Sequence, residues 1–303
     1  MEKSAFYGRW ACQKMIESAS SNLWDGHWAC AVLSMARLLD ERLLPAGLEP
    51  LVRRNLDQIV KEKGNQGIYD DEGEPKIGFR PELLRLLIRN GGKDNSLGHD
   101  AIYASYMLDL IERSGIPATQ ELFDAMATML QGFADSGPGY VTINGIHTVV
   151  QPGEVPEAEN QPELAPSSVL ELFHAFSRPE RMERGDMQLG HLLTHGHAVV
   201  ELKRALRAEA LEEHGPILDQ SFFKRTALLA YANALEKEET EPASNAVAGA
   251  RNPLEPSYWE EALADSRHGH YGKYAYSYLR LCRLAGFRPE DFRSFSRILP
   301  PLA

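Results

Sequence analysis

His268-Gly269-His270-Tyr271-Gly272-Lys273-Tyr274 opens the last long apolar helix expected in the chain, and its Gly-His step recurs at other helix starts. Five of the ten histidines follow a glycine, at Gly26-His27, Gly98-His99, Gly190-His191, Gly196-His197 and Gly269-His270. With 24 glycines in 303 residues, chance predicts fewer than one such pair.

Four of these segments overlay without gaps on His27, His99, His197 and His270. Two residues on stand Ala29, Ala101, Val199 and Gly272, all small. Five on stand Val32, Ala104, Leu202 and Ala275; nine on stand Ala36, Leu108, Leu206 and Leu279. Steps of three and four trace one apolar helix face. Ten on, all four carry a charge (Arg37, Asp109, Arg207, Arg280), at an end expected to reach water.

Around these segments the apolar spacing and the Pro and Gly punctuation predict helices over 5–18, 27–41, 48–63, 80–90, 99–114, 118–134, 167–177, 189–209, 217–237, 256–264, 270–285 and 289–297. They fall into four groups of three, about 1–64, 65–137, 138–238 and 239–303, read as a single all-α domain. The histidines recur 72, 98 and 73 residues apart, so the third group absorbs an insertion. Val141–Ile143, Asn144-Gly145 and Ile146–Val150 read as a β-hairpin with a two-residue turn. A second hairpin is expected over 67–79, and a loop over 239–256 is its counterpart later in the chain. Apolar inner helices paired with amphipathic outer ones suit an α/α toroid, with these excursions as covers over a site on one face.

The net charge of −11 disfavours a nucleic-acid partner. Cys12, Cys30 and Cys282 form no Cys-x-x-Cys pair and are expected as free thiols in a reducing, cytoplasmic setting. No apolar run has the length of a membrane span, and no secretory h-region opens the sequence. The partner these features suit is a small molecule.

If the four helices run the same way, His27, His99, His197 and His270 converge on one rim. A helix N-terminus disfavours imidazolium, so such histidines stay neutral, able to bind a metal or act as acid/base groups. With Lys273 as a general acid or anion anchor they form the candidate catalytic set. Candidate metal ligands are His191, His195, His197, His268 and His270, with Asp25, Asp100 and Asp186 as flanking carboxylates for Fe(II) or Zn(II). Trp24, Trp28, Tyr103, Tyr271 and Tyr274 are candidate walls for a flat or apolar ligand. The competing reading makes each histidine a duplicated helix-start residue and the protein a helical-repeat scaffold. His147, His174 and His214 read as ordinary positions, and the acidic run 70–74 as a solvated turn. No Gly-x-Ser-x-Gly elbow, Walker loop or Gly-x-Gly-x-x-Gly turn is present.

The stretch Leu189-Gly-His-Leu-Leu-Thr-His-Gly-His-Ala-Val-Val, carrying His191, His195 and His197, and the later His270 with Lys273, resemble the questin oxidase-like family of helical proteins. The resemblance covers two short stretches in the second half. It implies an oxygenase-like enzyme that cleaves a polyketide-type aromatic ring and uses a reduced nicotinamide cofactor.

Overall fold

Helical periodicity becomes helix along most of the described residues, and among them the fold is all-α with one small β-hairpin. The computed structural model describes residues 2–64, 67–70, 72–90, 92–134, 136–143, 146–150, 163–177, 187–206, 208–235, 251–264, 268–289, 292 and 294–299. In chain order these form α1 (Glu2–Ser20), α2 (Gly26–Asp40), α3 (Glu49–Lys63), α4 (Phe79–Arg89), α5 (His99–Ser114) and α6 (Gln120–Ala134). The hairpin β1 (Tyr140–Ile143) and β2 (Ile146–Val149) follows. Then come α7 (Pro166–Phe176), α8 (Met187–Ala205), α9 (Ala208–Leu235), α10 (Pro256–Ala264), α11 (His268–Ala285) and α12 (Phe295–Ile298).

The chain folds into two compact units. The first takes Met1–Asn90, Asp100–Ala134 and Pro253–Tyr276; the second takes Gly91–His99, Asp135–Asn252 and Ser277–Ala303.

In the first unit α2 packs between α1 and α3, α6 packs on α1 and α4, and α10 covers α3. Ala29 to Met35 of α2 are all buried, so this helix is surrounded, whereas α3 buries only the stripe Val52, Asn55, Leu56 and Ile59. Thr119 starts α6 by accepting from Leu122 N at 3.2 Å through its hydroxyl. Glycines on α11 allow a close approach to α2. A Cβ on Gly272 would stand 2.6 Å from Met35 Cγ, and one on Gly269 3.1 Å from both Ala31 Cβ and the Trp28 ring. These glycines, three apart on one face, let α11 lie against α2 and bring the side chains between them onto the first turn of α2.

In the second unit α8 packs on α7, α9 and α12, and the hairpin lies on α9. Tyr140 pairs with Val149 and Ile143 with Ile146. Val141 and Val150 pack with Leu228 and Ala232 of α9, which fixes which face of the hairpin is covered. The turn Asn144-Gly145 and the side chain of His147 lie outside the described residues. Where α11 ends, Gly286 takes φ +72° and Phe287 N donates back to Cys282 O at 2.9 Å, closing the helix in a left-handed cap.

Several expectations are revised. Residues 67–70 and 72–79 form no hairpin: Pro75 bridges to Thr119, with Lys76 N donating to Ala118 O and Gln120 N to Glu74 O. The segment finds its partner on the approach to α6 rather than within itself. Helix α9 begins at Ala208 and runs through Pro216, although a start at 217 was expected, because packing of its apolar face outweighs one lost backbone bond. Helix α8 ends at Ala205, with Leu206 N bonded to Lys203 O. The expected helix 289–297 is reduced to Phe295–Ile298, with residues 290, 291 and 293 outside the described ones. Most of the loop 239–256 lies outside them too. The charges at the helix ends do not simply reach water. Arg37 Nε meets Asp109 at 2.6 Å, and Arg280 Nε meets Glu201 at 2.7 Å. Cys12, Cys30 and Cys282 are free and buried. Among the described residues, no helix is long and apolar enough to cross a membrane.

Candidate functional site

The glycine contacts between α11 and α2 set His270 and Lys273 beside His27. In the first unit the Lys273 Nζ lies 2.6 Å from His27 Nδ1, and the His27 and His270 rings are 5.4 Å apart between centroids. Trp24 stacks on His27 at 6.1 Å, Tyr103 meets it edge-on at 6.0 Å, and Tyr274 lies 5.5 Å from His270. Tyr103 is held in place by bonds from its hydroxyl to the carbonyls of Leu23 and Trp24, and Gly26 leaves room for its ring.

Burial grades across this group. Lys273 is only 3% exposed, His27 and His270 are half-buried, and Trp24 is 46% exposed. Burial pushes Lys273 down from 10.5 to about 8, and nearby Cys30 opposes this only in part. The same burial pushes the Cys30 thiol up to about 12, so it stays protonated and supplies no counter-charge at neutral pH. Among the described residues no carboxylate pairs with Lys273. A lysine amine this near neutrality, donating to a histidine ring nitrogen, can exchange protons with it at physiological pH. One ring nitrogen of His27 and one of His270 also lie within 4.8 Å of each other, close enough to share a cation.

Burying that amine costs stability. The amine binds more protons in the unfolded chain than in the folded one between about pH 8 and 10.5, so stability rises with pH across that window. Below pH 8 the cost is fully present, at about 3 kcal/mol. Lys273→Met is therefore expected to be more stable than the natural protein at pH 7 by up to about that amount. Urea titrations at pH 7 and pH 10 should show the advantage shrinking at the higher pH; a variant less stable at both would contradict the buried-amine description.

The other candidate aromatics face elsewhere in the first unit. Tyr271 bonds Glu261 through its hydroxyl at 2.8 Å and accepts from Tyr258 at its carbonyl. Trp28 lies under Lys63 Nζ at 4.1 Å and against Gly269. A polar cleft of about 380 Å³, lined in part by Lys14, Glu17, Ser21 and Asp25, opens at the turn before α2.

The second unit has its own buried polar centre. His99 Nδ1 donates to Ser96 O, a helix-start role, and the ring lies 4.9 Å from that of His191. Ser96, Leu97 and Gly98 all take positive φ (44°, 66° and 80°). A Cβ on Gly98 would come within 2.3 Å of His195 Cγ, so only glycine lets the backbone press onto that ring. Ser221 donates to Leu218 O at 2.7 Å and so accepts from His195 Nε2–H at 3.2 Å. Burial, with Arg225 and His191 adding to it, pushes His195 down to about 3. Arg225, fully buried, donates to Asp94 (2.9 Å), Gln188 (2.9 Å) and the carbonyl of Pro138 (2.6 Å).

His197 Nδ1 lies 3.1 Å from Ser277 Oγ, and its Nε2 3.8 Å from Glu201. Burial pushes Glu201 up, but His197 and Arg280 together outweigh it and hold the carboxyl below its usual range. Thus His195 and His197 have rings engaged by serines of their own unit. Asp100 Oδ1 accepts from Ala101 N, and Asp25 from Asn22 Nδ2. The side chain of His268, and all of Asp186, lie outside the described residues. Arg225, Asp94, Gln188 and Ser221 were not singled out from the sequence, and Cys30 was read only as a free thiol. Arg225 directly follows Lys224 and reads locally as part of an ordinary charged pair, so nothing in the sequence marked it as buried. His174, read as ordinary, in fact bonds Ser294 Oγ at 3.0 Å through Nδ1 and meets Tyr278 OH at 3.4 Å through Nε2.

The chain matches no protein-family model, no curated protein and no solved structure.

Proposed function

We propose that the protein is an enzyme that binds a small apolar or aromatic molecule beside Trp24, Tyr103 and Tyr274 and moves protons to and from it through His27 and Lys273. The observation that carries this reading is the 2.6 Å contact between His27 Nδ1 and a buried lysine amine without a carboxylate partner among the described residues. With the amine donating to Nδ1, the ring is neutral and carries its own proton on Nε2. One group of the pair can then give a proton while the other takes it back, and low solvent access strengthens both transfers.

The finer reading follows the questin oxidase-like resemblance: an oxygenase-like oxidoreductase opening a polyketide-type aromatic ring, in an α/α toroid. The sheet among the described residues is a two-stranded antiparallel hairpin, without the strand-to-helix glycine turn that cradles a pyrophosphate. The test is oxygen uptake by the purified protein with 1,8-dihydroxyanthraquinone, with and without NADPH. His27→Phe and Lys273→Met are each expected to lower substrate-dependent uptake by roughly 100-fold or more. If no uptake occurs and the anthraquinone does not bind, the enzyme reading fails and the helical-repeat scaffold takes its place.

The nearness of His27 to His270 favours a second reading, metal-assisted chemistry with Fe(II) or Zn(II). Stoichiometric metal in protein prepared without chelators, lost in His270→Ala, would move the mechanism there.

A further inference from the structure

Lys273 has a second chemical capacity besides proton exchange. A lysine on the surface or paired with a carboxylate is an ammonium and has no lone pair to give. Lys273 is desolvated, and its one hydrogen-bond partner among the described residues is a ring nitrogen, His27 Nδ1, which can accept a proton but offers no negative charge. Those are the conditions that make an amine a nucleophile towards a carbonyl carbon. Cys30, the other nucleophilic atom type beside it, is a buried thiol and does not compete. The flank formed by Trp24 reaches solvent while Tyr103 and Tyr274 are buried, so the neighbourhood suits a molecule that is aromatic and enters ring first.

Resting on the site reading above, we infer that Lys273 forms an imine with the carbonyl group of an aromatic aldehyde or ketone, with His27 carrying protons between nitrogen and oxygen. The Nζ lone pair attacks the carbonyl carbon, forming the C–N bond as the C=O π electrons move to oxygen. His27 Nδ1 takes a proton from the nitrogen and returns it to that oxygen, giving the carbinolamine. The nitrogen lone pair then expels the oxygen as water, so that both amine protons leave with it and a C=N bond remains. No oxidant or reductant takes part.

The experiment uses the full-length protein at pH 7 with benzaldehyde, followed by sodium borohydride, which reduces an imine to a stable benzyl amine. Tryptic mapping is expected to find the benzyl group chiefly on Lys273, in a peptide running uncut from His268 to Arg280. Occupancy there should exceed that of exposed lysines by roughly tenfold or more, because little of an ordinary lysine is neutral at this pH. Lys273→Arg keeps a cationic side chain but has no amine to condense, and should lose the label from this segment. In parallel, benzyl alcohol, which cannot form an imine, is added while the ring resonances of His27 are followed by NMR. Label confined to exposed lysines, with His27 still responding to benzyl alcohol, would overturn the imine and leave the site reading standing. Neither label on Lys273 nor a His27 response would overturn both.

Discussion

Arg225→Met is expected to destabilise the protein by roughly 3–5 kcal/mol, the usual consequence of removing one partner from a buried ion pair. Arg225 is fully buried, and its guanidinium lies 2.8 Å from Asp94 Oδ2 while also satisfying Gln188 and the carbonyl of Pro138. Methionine fills much of the volume but takes the guanidinium charge away from the buried Asp94 carboxylate and a donor away from the Pro138 carbonyl. The double variant Arg225→Met with Asp94→Asn should recover part of the loss, since the stranded charge is gone. Guanidinium denaturation of the two variants is the measurement. A single variant within 1 kcal/mol of the natural protein would mean that this pair does not hold the second unit together.

The second large effect is acid sensitivity. His195 is held neutral in the folded state, with its pKa near 3 against 6.5 for an ordinary histidine, because burial, the Arg225 charge and His191 all disfavour imidazolium. Between these values the unfolded chain binds a proton that the folded chain does not, so stability falls as the pH is lowered from about 6.5 towards 3. The full loss at the acid end is about 5 kcal/mol, comparable with the whole stability of many domains. His195→Gln keeps an N–H that can reach Ser221 and does not titrate. Its stability should depend less on pH than that of the natural protein between pH 3 and 6.5, in urea titrations at several pH values. Parallel curves for the two proteins would rule His195 out as the acid-sensitive group.

Legibility in the sequence tracked the range of the interactions involved. Helices α5 and α10 begin and end where the apolar spacing and the flanking signals placed them, at 99–114 and 256–264. The β-hairpin lies where its turn signal put it. Such features depend on neighbours a few residues away. A helix was expected to start at 217, just after Pro216, and tertiary packing carried it back through that proline to Ala208. Residues 67–79 looked like a hairpin, but Pro75 found a better partner 44 residues further on, at Thr119.

The same contrast runs through the candidate site. Repetition of the Gly-His step was visible in the chain, and so was the small residue two places beyond each of the four aligned histidines. What Gly272 does there was not visible: it admits Met35 and so sets Lys273 against His27, 246 residues away in sequence. Equivalent positions in the repeat acquire different chemistry for the same reason. His99 bonds the carbonyl of its own turn, and His197 bonds Ser277 of α11. His27 meets a lysine instead.

By itself the amino-acid order determined the all-α class and the Gly-His helix starts at His27, His99 and His270, because helix periodicity and capping are local, whereas Gly196-His197, expected at a start, lies in the middle of α8. It also supplied a histidine and a lysine near the start of α11, whose chemistry stayed undefined. Tertiary structure alone decided which groups are buried together and therefore which are charged. A lysine near pH 8, a histidine near pH 3 and an arginine clamped on Asp94 are properties of desolvation and of partners far off along the chain, and these exist only once the chain has folded.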